Sequence, residues 1–241
     1  MVDQTIPRRN FLKGAGVAGT AVAATLSSGL AACADGQAPG QAAAKPATPP
    51  SEPLLTLTPG EAAFLSAVYD TFIPADQFSP SGTDCGLVVY IDRQLAGAWG
   101  QGARFYRMGP FLQGKPEQGY QLPLTPREFF ANGIAATNAW SRKTYGKPFD
   151  QLSPADRDAA LKTMDGGKAE FVDFNGKRFL ETLYQSAMEG FFADPIYGGN
   201  RDKVSWKMVN YPGLPATYAT KAEAYRGKKV NLPPQSIADL N

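Results

Sequence analysis

Few side chains in this sequence could do chemistry of their own. Across 241 residues there are two cysteines, Cys33 and Cys85, and no histidine. Without imidazole, Ser–His–Asp and Cys–His nucleophile pairs are excluded, as are His-ligated haem and zinc sites with His ligands. Two cysteines cannot make a four-cysteine zinc or iron–sulfur site. Cys85 stands in Thr83-Asp84-Cys85-Gly86 at an expected helix start, where the helix dipole would lower its thiol pKa. Carboxylates are what remains. Asp156, Asp158 and Asp165 lie on or after a polar helix, and Asp70 and Asp76 flank the end of another. Paired carboxylates do acid–base work when burial separates their pKa values; in this polar setting they read as solvated surface. Gly14-Ala15-Gly16-Val17-Ala18-Gly19 spells G-x-G-x-x-G, but no strand precedes it, so it is no dinucleotide site. With 24 basic and 22 acidic residues, nothing calls for a nucleic-acid partner.

The basic residues with informative spacing are Arg8 and Arg9, in Pro7-Arg8-Arg9-Asn10-Phe11-Leu12-Lys13. They precede an uncharged stretch from Gly14 to Leu30 built from Ala, Gly, Val, Thr and Ser. A permanent transmembrane helix takes about 20 strongly apolar residues, and this stretch is shorter and more polar. A charged start, a modest apolar middle and small residues at the end make an export signal. The motif resembles the twin-arginine type, Ser/Thr-Arg-Arg-x-Phe-Leu-Lys, with Arg8, Arg9, Phe11 and Leu12 in register and Pro7 replacing the hydroxyl residue. Leu30-Ala31-Ala32-Cys33 resembles a bacterial lipobox, in which the cysteine is acylated and heads the mature chain. Ordinary cleavage within Leu30 to Ala34, with Cys33 incidental, is the alternative. If Cys33 is lipidated, Cys85 is left single and an inter-subunit disulfide becomes available to it. If Cys33 is retained unmodified, the two could pair, and a free, partly buried Cys85 is the third option. Residues 34–54 are dominated by Ala, Pro and Gln and read as a flexible tether. Twin-arginine export carries folded cargo, and on a chain with no cofactor site it suggests export of a partner.

The elements behind these groups follow one grammar. Leu57-Thr58-Pro59-Gly60-Glu61, Leu124-Thr125-Pro126-Arg127-Glu128 and Leu152-Ser153-Pro154-Ala155-Asp156 each place a capping hydroxyl, a first-turn proline and an acid three residues past the cap. The first helix carries Ala62, Leu65, Val68, Tyr69 and Phe72 and stops near Ile73-Pro74. A second runs through Gly86–Leu95, although Leu87–Ile91 is β-branched enough to suit a strand. A third spans Pro126 to about Tyr145, with Gly146 as its C-cap. A fourth covers Pro154–Met164. A fifth covers about Phe174–Phe192, with Phe179, Leu180, Leu183, Tyr184 and Met188 as its stripe. The expected organisation is an all-α domain of about five main helices over 55–215, after a signal at 1–33 and a tether at 34–54, with a C-terminal arm at 216–241. Gly102 to Pro123 and the arm read as surface segments that lie on a partner or fray.

Residues 194–213 read Asp-Pro-Ile-Tyr-Gly-Gly-Asn-Arg-Asp-Lys-Val-Ser-Trp-Lys-Met-Val-Asn-Tyr-Pro-Gly. Gly198, Gly199 and Asn200 tolerate positive φ and make a sharp reversal. Tyr197, Trp206 and Tyr211 either supply flat surface for a partner or fold the loop back onto the helices. This segment resembles the signature of the gluconate 2-dehydrogenase subunit 3 family. The resemblance extends to the twin-arginine start, to Leu65–Pro74 and to Gly86–Asp92, with one departure at Val209-Asn210, where members tend to have an apolar residue and then Gly.

The resemblance implies the small subunit of a membrane-associated, periplasmic dehydrogenase complex acting on gluconate or a related sugar or polyol. It implies an FAD-holding partner similar to glucose–methanol–choline oxidoreductases and a multihaem cytochrome c subunit carrying haem c, with neither cofactor in this chain. The small subunit would assist maturation of the flavoprotein and escort it through the twin-arginine translocase. Its partner interface would involve Tyr197, Gly198, Gly199, Asn200, Trp206 and Tyr211. A free-standing periplasmic lipoprotein binding a small ligand or envelope component is the competing reading, and a hydrolase using carboxylates alone is the third.

Overall fold

Three helices start on the Leu–hydroxyl–Pro grammar. The structure is a computed structural model that describes residues 52–112, 114–115, 121–215 and 217–240; Arg8, Arg9, Phe11, Leu12 and Cys33 lie outside the described residues. In α1 (Pro59–Phe72), the Thr58 side chain accepts from the Glu61 N–H while the Glu61 carboxylate accepts from the Thr58 N–H at 2.8 Å. Thr125 and Glu128 repeat this reciprocal cap at the head of α3 (Pro126–Tyr145). At α4 (Pro154–Asp165), Ser153 accepts from the Asp156 N–H at 3.2 Å and donates to its carboxylate at 2.7 Å. Aspartate is one methylene shorter than glutamate, and no return bond to the cap backbone forms. Each cap satisfies donors that a helix start would otherwise leave unpaired.

The remaining long helices are α2 (Leu87–Ala96) and α5 (Gly176–Phe192). α2 resolves the ambiguity of Leu87–Ile91: Leu87, Val88 and Ile91 are buried in the core beside α1 and α5. α5 begins two residues later than the periodicity suggests, because Asn175 caps it by accepting from the Arg178 N–H at 2.9 Å. Phe174 then lies before the helix, its ring 5.4 Å from Phe129. Two short helices, α6 (Val204–Val209) and α7 (Ala222–Tyr225), were not legible in the pattern. Among the described residues the protein is all-α, and β pairing is confined to an isolated bridge between Gly213 and Gln235.

α1 and α5 form the centre, each packed against α2, α3 and α4. Between them lies a knot of fully buried rings: Phe64, Phe129, Phe130, Phe149 and Phe179. Phe179 is edge-on to Phe129 and Phe130, at 5.8 and 5.9 Å. Burying each such side chain is worth roughly 1.5–3 kcal/mol. The close approach of α3 and α5 depends on Gly133, where an added Cβ would lie 2.4 Å from the Phe179 ring. Tyr69 of α1 and Ser186 of α5 form a buried hydroxyl pair at 2.9 Å.

Both ends of the described domain differ from the boundaries drawn on composition. Glu52, assigned to the tether, forms an ion pair with Arg93, and Leu54 packs against the core. Residues 235–239 of the C-terminal arm are bonded to the signature segment. Gln235 N–H donates to Pro212 O at 3.0 Å and Leu214 N–H to Gln235 O at 2.9 Å. Ile237 N–H reaches Asp194 at 3.0 Å, and Lys203 pairs with Asp239 at 2.6 Å. The arm therefore closes over the signature segment, because residues 235–239 supply partners for backbone and charge that the loop presents.

Candidate functional site

The signature segment is built as a sequence of tight turns between α5 and the arm. Asp194 caps the turn Pro195–Tyr197 by accepting from the Ile196 N–H at 3.0 Å. Gly198 follows at φ +96°, then Asn200, Asp202 and Lys203 at φ +46°, +59° and +56°. Left-handed backbone costs a non-glycine residue about 1–2 kcal/mol, so something must hold it. The Asn200 side chain does much of this from a fully buried position. Its Nδ2 donates to Ala193 O at 2.9 Å, and its Oδ1 accepts from the Ser205 N–H at 3.0 Å and hydroxyl at 2.8 Å. Trp206 Nε1–H donates to Phe192 O at 3.0 Å, and its ring meets Tyr211 edge-on at 5.2 Å. Asn210 closes α6 at φ +55°, a left-handed conformation that asparagine tolerates.

The loop is fastened to the helices through glycines. A Cβ on Gly199 would lie 2.2 Å from Gly190 O, and one on Gly86 would lie 2.3 Å from Gly198 O. Arg201 N–H donates to Cys85 O at 3.0 Å, and Arg93 of α2 and Arg201 both face Glu52.

The structure brings the six expected interface residues into one loop and then divides them. Tyr197 and Tyr211 are about half exposed, at 51% and 47%. Trp206, Gly199 and Asn200 are buried within the chain; their hydrogen-bonding and close-packing roles draw them inward. Gly198 is half-buried against α2. Sequence reading missed the exposed apolar residues around the two tyrosines. Ile196 adjoins Tyr197 on a turn that packs beside the Ile237–Leu240 turn, whose Ile237 and Leu240 are also exposed. Met208 and Val209 end α6 in the same state. The spacing of Ile237 and Leu240, one turn apart, was the available signal. An open cleft of about 380 Å³ lies between α6 and 231–234, bordered by Trp206, Lys207, Asn210 and Asn231.

Cys85 corrects an expectation. Its thiol is 1% exposed and lies 3.6 Å from Pro80 O. Burial, aided by the Asp84 carboxylate, pushes it up to about 11 rather than down. The reason is Gly86, whose left-handed backbone makes it the N-cap and leaves Cys85 ahead of the helix, turned into the core. An inter-subunit disulfide would require residues 80–86 to open.

The carboxylates serve the fold. Asp70 accepts from the Thr83 N–H at 2.7 Å, Asp76 from Phe78 and Ser79, and Asp158 pairs with Lys162 at 2.6 Å. Sequence reading overlooked Asp92, 1% exposed on α2, which accepts from the N–H groups of Leu55, Thr56 and Leu57 at 2.6, 3.0 and 2.8 Å. It fixes the chain where it joins the domain. Nearby, Arg127 grips the Glu61 carboxylate with two bonds of 2.8 and 2.9 Å. Burial pushes that carboxyl up, but Arg127 and Thr58 outweigh it and hold it below the usual range.

Searches of curated proteins and of solved structures return no match. Residues 5–25 match the twin-arginine translocation pathway signal sequence, which directs export to the periplasm. Residues 59–213, from the first capped helix through the last glycine of the signature segment, match the family described as gluconate 2-dehydrogenase subunit 3. With the turns, buried asparagine and glycine contacts of that segment in place, the chain belongs to the gluconate 2-dehydrogenase subunit 3 family.

Proposed function

We propose that the protein is the non-catalytic small subunit of a periplasmic flavin-dependent dehydrogenase complex, oxidising gluconate or a related sugar or polyol. Its work is to assist maturation of the FAD-containing catalytic subunit and to carry it, folded, through the twin-arginine translocase. A multihaem cytochrome c subunit accepts the electrons. The observation that carries this reading is the family match over 59–213 together with an export signal of the chain's own.

FAD and haem c belong to the partners on this reading. The described residues contain no strand to carry a dinucleotide-binding turn, and the sequence has no histidine to ligate a haem and no C-x-x-C-H attachment motif. Tyr197 and Tyr211, with Ile196, Met208 and Val209, supply an apolar surface on a braced loop for the catalytic subunit. Aromatic residues on a pre-organised frame lose little entropy on binding. A lipid anchor at Cys33 would keep the complex at the membrane. The second reading, a free-standing lipoprotein that binds a small ligand, draws on the cleft beside Trp206 and Asn210.

Affinity purification from the native host separates them: the tagged chain is expected to bring down a flavoprotein and a cytochrome c. Replacing Arg8 and Arg9 by Lys should strand both this chain and the flavoprotein in the cytoplasm. A flavoprotein that reaches the periplasm normally without this chain would overturn the escort role.

A further inference from the structure

The end of the C-terminal arm meets the signature segment as a bound peptide meets its receptor. Gln235 lies parallel to Gly213 in the isolated β bridge, its N–H donating to Pro212 O and its carbonyl accepting from the Leu214 N–H. A peptide that adds to a free backbone edge takes affinity from such main-chain bonds and specificity from the side chains beside them. Ser236 is 1% exposed, so its position admits only a small side chain. The Ile237 N–H donates to Asp194, and the Asp239 carboxylate accepts from Lys203 Nζ and from the Ser236 N–H at 2.8 Å. The receiving groups are thus met by a pattern of small residue, two free positions and an acid. Gly213 permits the approach: a Cβ there would lie 2.2 Å from Gln235 O and 2.6 Å from the Trp206 ring.

Bonding rather than burial holds the arm. Among the described residues, no side chain of the arm belongs to the apolar core or packs against it. The hydrogen bonds of residues 217–228 reach no further than four positions along the chain. Residues 231–234 leave the open cleft of about 380 Å³ beside Trp206. Hydrogen bonds exchanged against water and a part-exposed ion pair are individually weak, and segments held in this way open far more often than a core. The signature segment keeps anchors that do not involve the arm: Asn200 on Ala193 and Ser205, and Trp206 on Phe192. The family match ends at Gly213, so all of the receiving side except Leu214 lies inside it and the whole of 235–239 lies outside.

We propose that Asp194, Lys203 and residues 212–214 form a peptide-binding slot whose ligand is the chain's own segment 235–239, a tethered latch that opens without unfolding the helical domain. Closed, the latch braces the left-handed turn at Lys203 and covers the 212–214 edge; open, it frees that edge and both charged groups. Slot and ligand belong to the same chain, so the inference is independent of which complex the protein serves.

The test uses the chain beginning at Ala34, which lacks the signal and Cys33, with a thrombin site inserted between Gly227 and Lys228, where the arm is exposed. In the uncut chain, amide exchange at Leu214, Gln235 and Ile237 should be at least about 100-fold faster than at the slowest amides of α1 and α5. Equal protection would mean that the arm opens only with the whole fold, and overturns the latch. Lys203→Met should speed exchange about five-fold, the worth of one part-exposed ion pair, at Leu214 as well as at Ile237. An effect that spares Leu214 would reveal separate contacts rather than one latch. Cleavage removes a tether worth about millimolar effective concentration, and the fragment 228–241 should then exchange with added labelled peptide 229–241. A peptide carrying Ile237→Ser, changed at an exposed position, should still bind; one carrying Ser236→Leu should not. A fragment that never exchanges, a Ser236→Leu peptide that binds as well as the parent, or loss of helical circular dichroism when the fragment leaves would each overturn the proposal. Failure of the chain to co-purify with a flavoprotein, with peptide binding intact, bears only on the subunit reading.

Discussion

At the scale of single residues, the polar groups that matter most are buried and hold backbone in place. Asn200 joins Ala193 to Ser205 while itself adopting a left-handed conformation. Replacing it by Ala removes three hydrogen bonds, leaves buried backbone groups unpaired and forces a β-carbon without compensation into that conformation. A loss of about 2–4 kcal/mol is expected from urea unfolding of Asn200→Ala. A change under about 0.5 kcal/mol, the scale of an ordinary surface substitution, would show that the loop is held by other contacts. Cys85 gives a kinetic prediction. With its pKa raised to about 11 by burial and Asp84, only about a thousandth of it is thiolate at pH 8. Iodoacetamide labelling of the native chain beginning at Ala34 should be at least about 100-fold slower than in urea. Equal rates would place the thiol at the surface and reopen the route to a disulfide.

The elements meet through glycines at positions where a side chain has no room. α5 and the signature loop touch at Gly190 and Gly199, while the start of α2 touches the loop at Gly86 and Gly198. Gly199→Ala would put its Cβ 2.2 Å from the Gly190 carbonyl, a backbone atom that cannot rotate away. Destabilisation by more than about 3 kcal/mol is expected. Gly60→Ala is the control: nothing lies within 4 Å of the added carbon, and helix propensity makes that change neutral to about 1 kcal/mol stabilising. Thermal midpoints of the two variants check both statements, and similar midpoints would refute the argument. The helix starts were legible because a capping box is local chemistry: Thr58-Pro59-Gly60-Glu61 contains every group the cap uses. α6 was not legible, because six residues carry too little periodicity and their start depends on left-handed turns set by Asn200 and by the arm.

For the molecule as a whole, charge pairing at the start of the domain gives stability a defined pH dependence. Glu61 is held below its ordinary 4.5 against the upward push of burial, by Arg127 and Thr58. A depressed carboxyl contributes stability that is complete above its unfolded value and is lost as pH falls through its folded one. Arg127→Met should therefore cost about 1 kcal/mol near neutrality, a magnitude typical of partly exposed pairs. The gap between variant and parent should close as pH falls below about 4.5. A gap that stays constant down to about pH 3 would mean that Arg127 acts through its bonds to Thr56 and packing alone. Arg127 also joins α3 to Gly100 through its backbone N–H and to Thr56, in the stretch that Asp92 clamps, through its guanidinium.

The sequence by itself determined the helical class, the three capped starts, the export signal and the family, because each rests on groups that are neighbours along the chain. Only the tertiary structure decided which signature residues face outward. Tyr197 and Trp206 are both aromatic residues of one loop, yet one is half exposed and the other buried against the end of α5. It also decided that the Cys85 thiol is buried, with its pKa pushed up rather than down, and that Asp92 holds residues 55–57. Those outcomes depend on contacts between residues far apart in sequence, where burial and partner geometry, rather than residue type, determine what a side chain does.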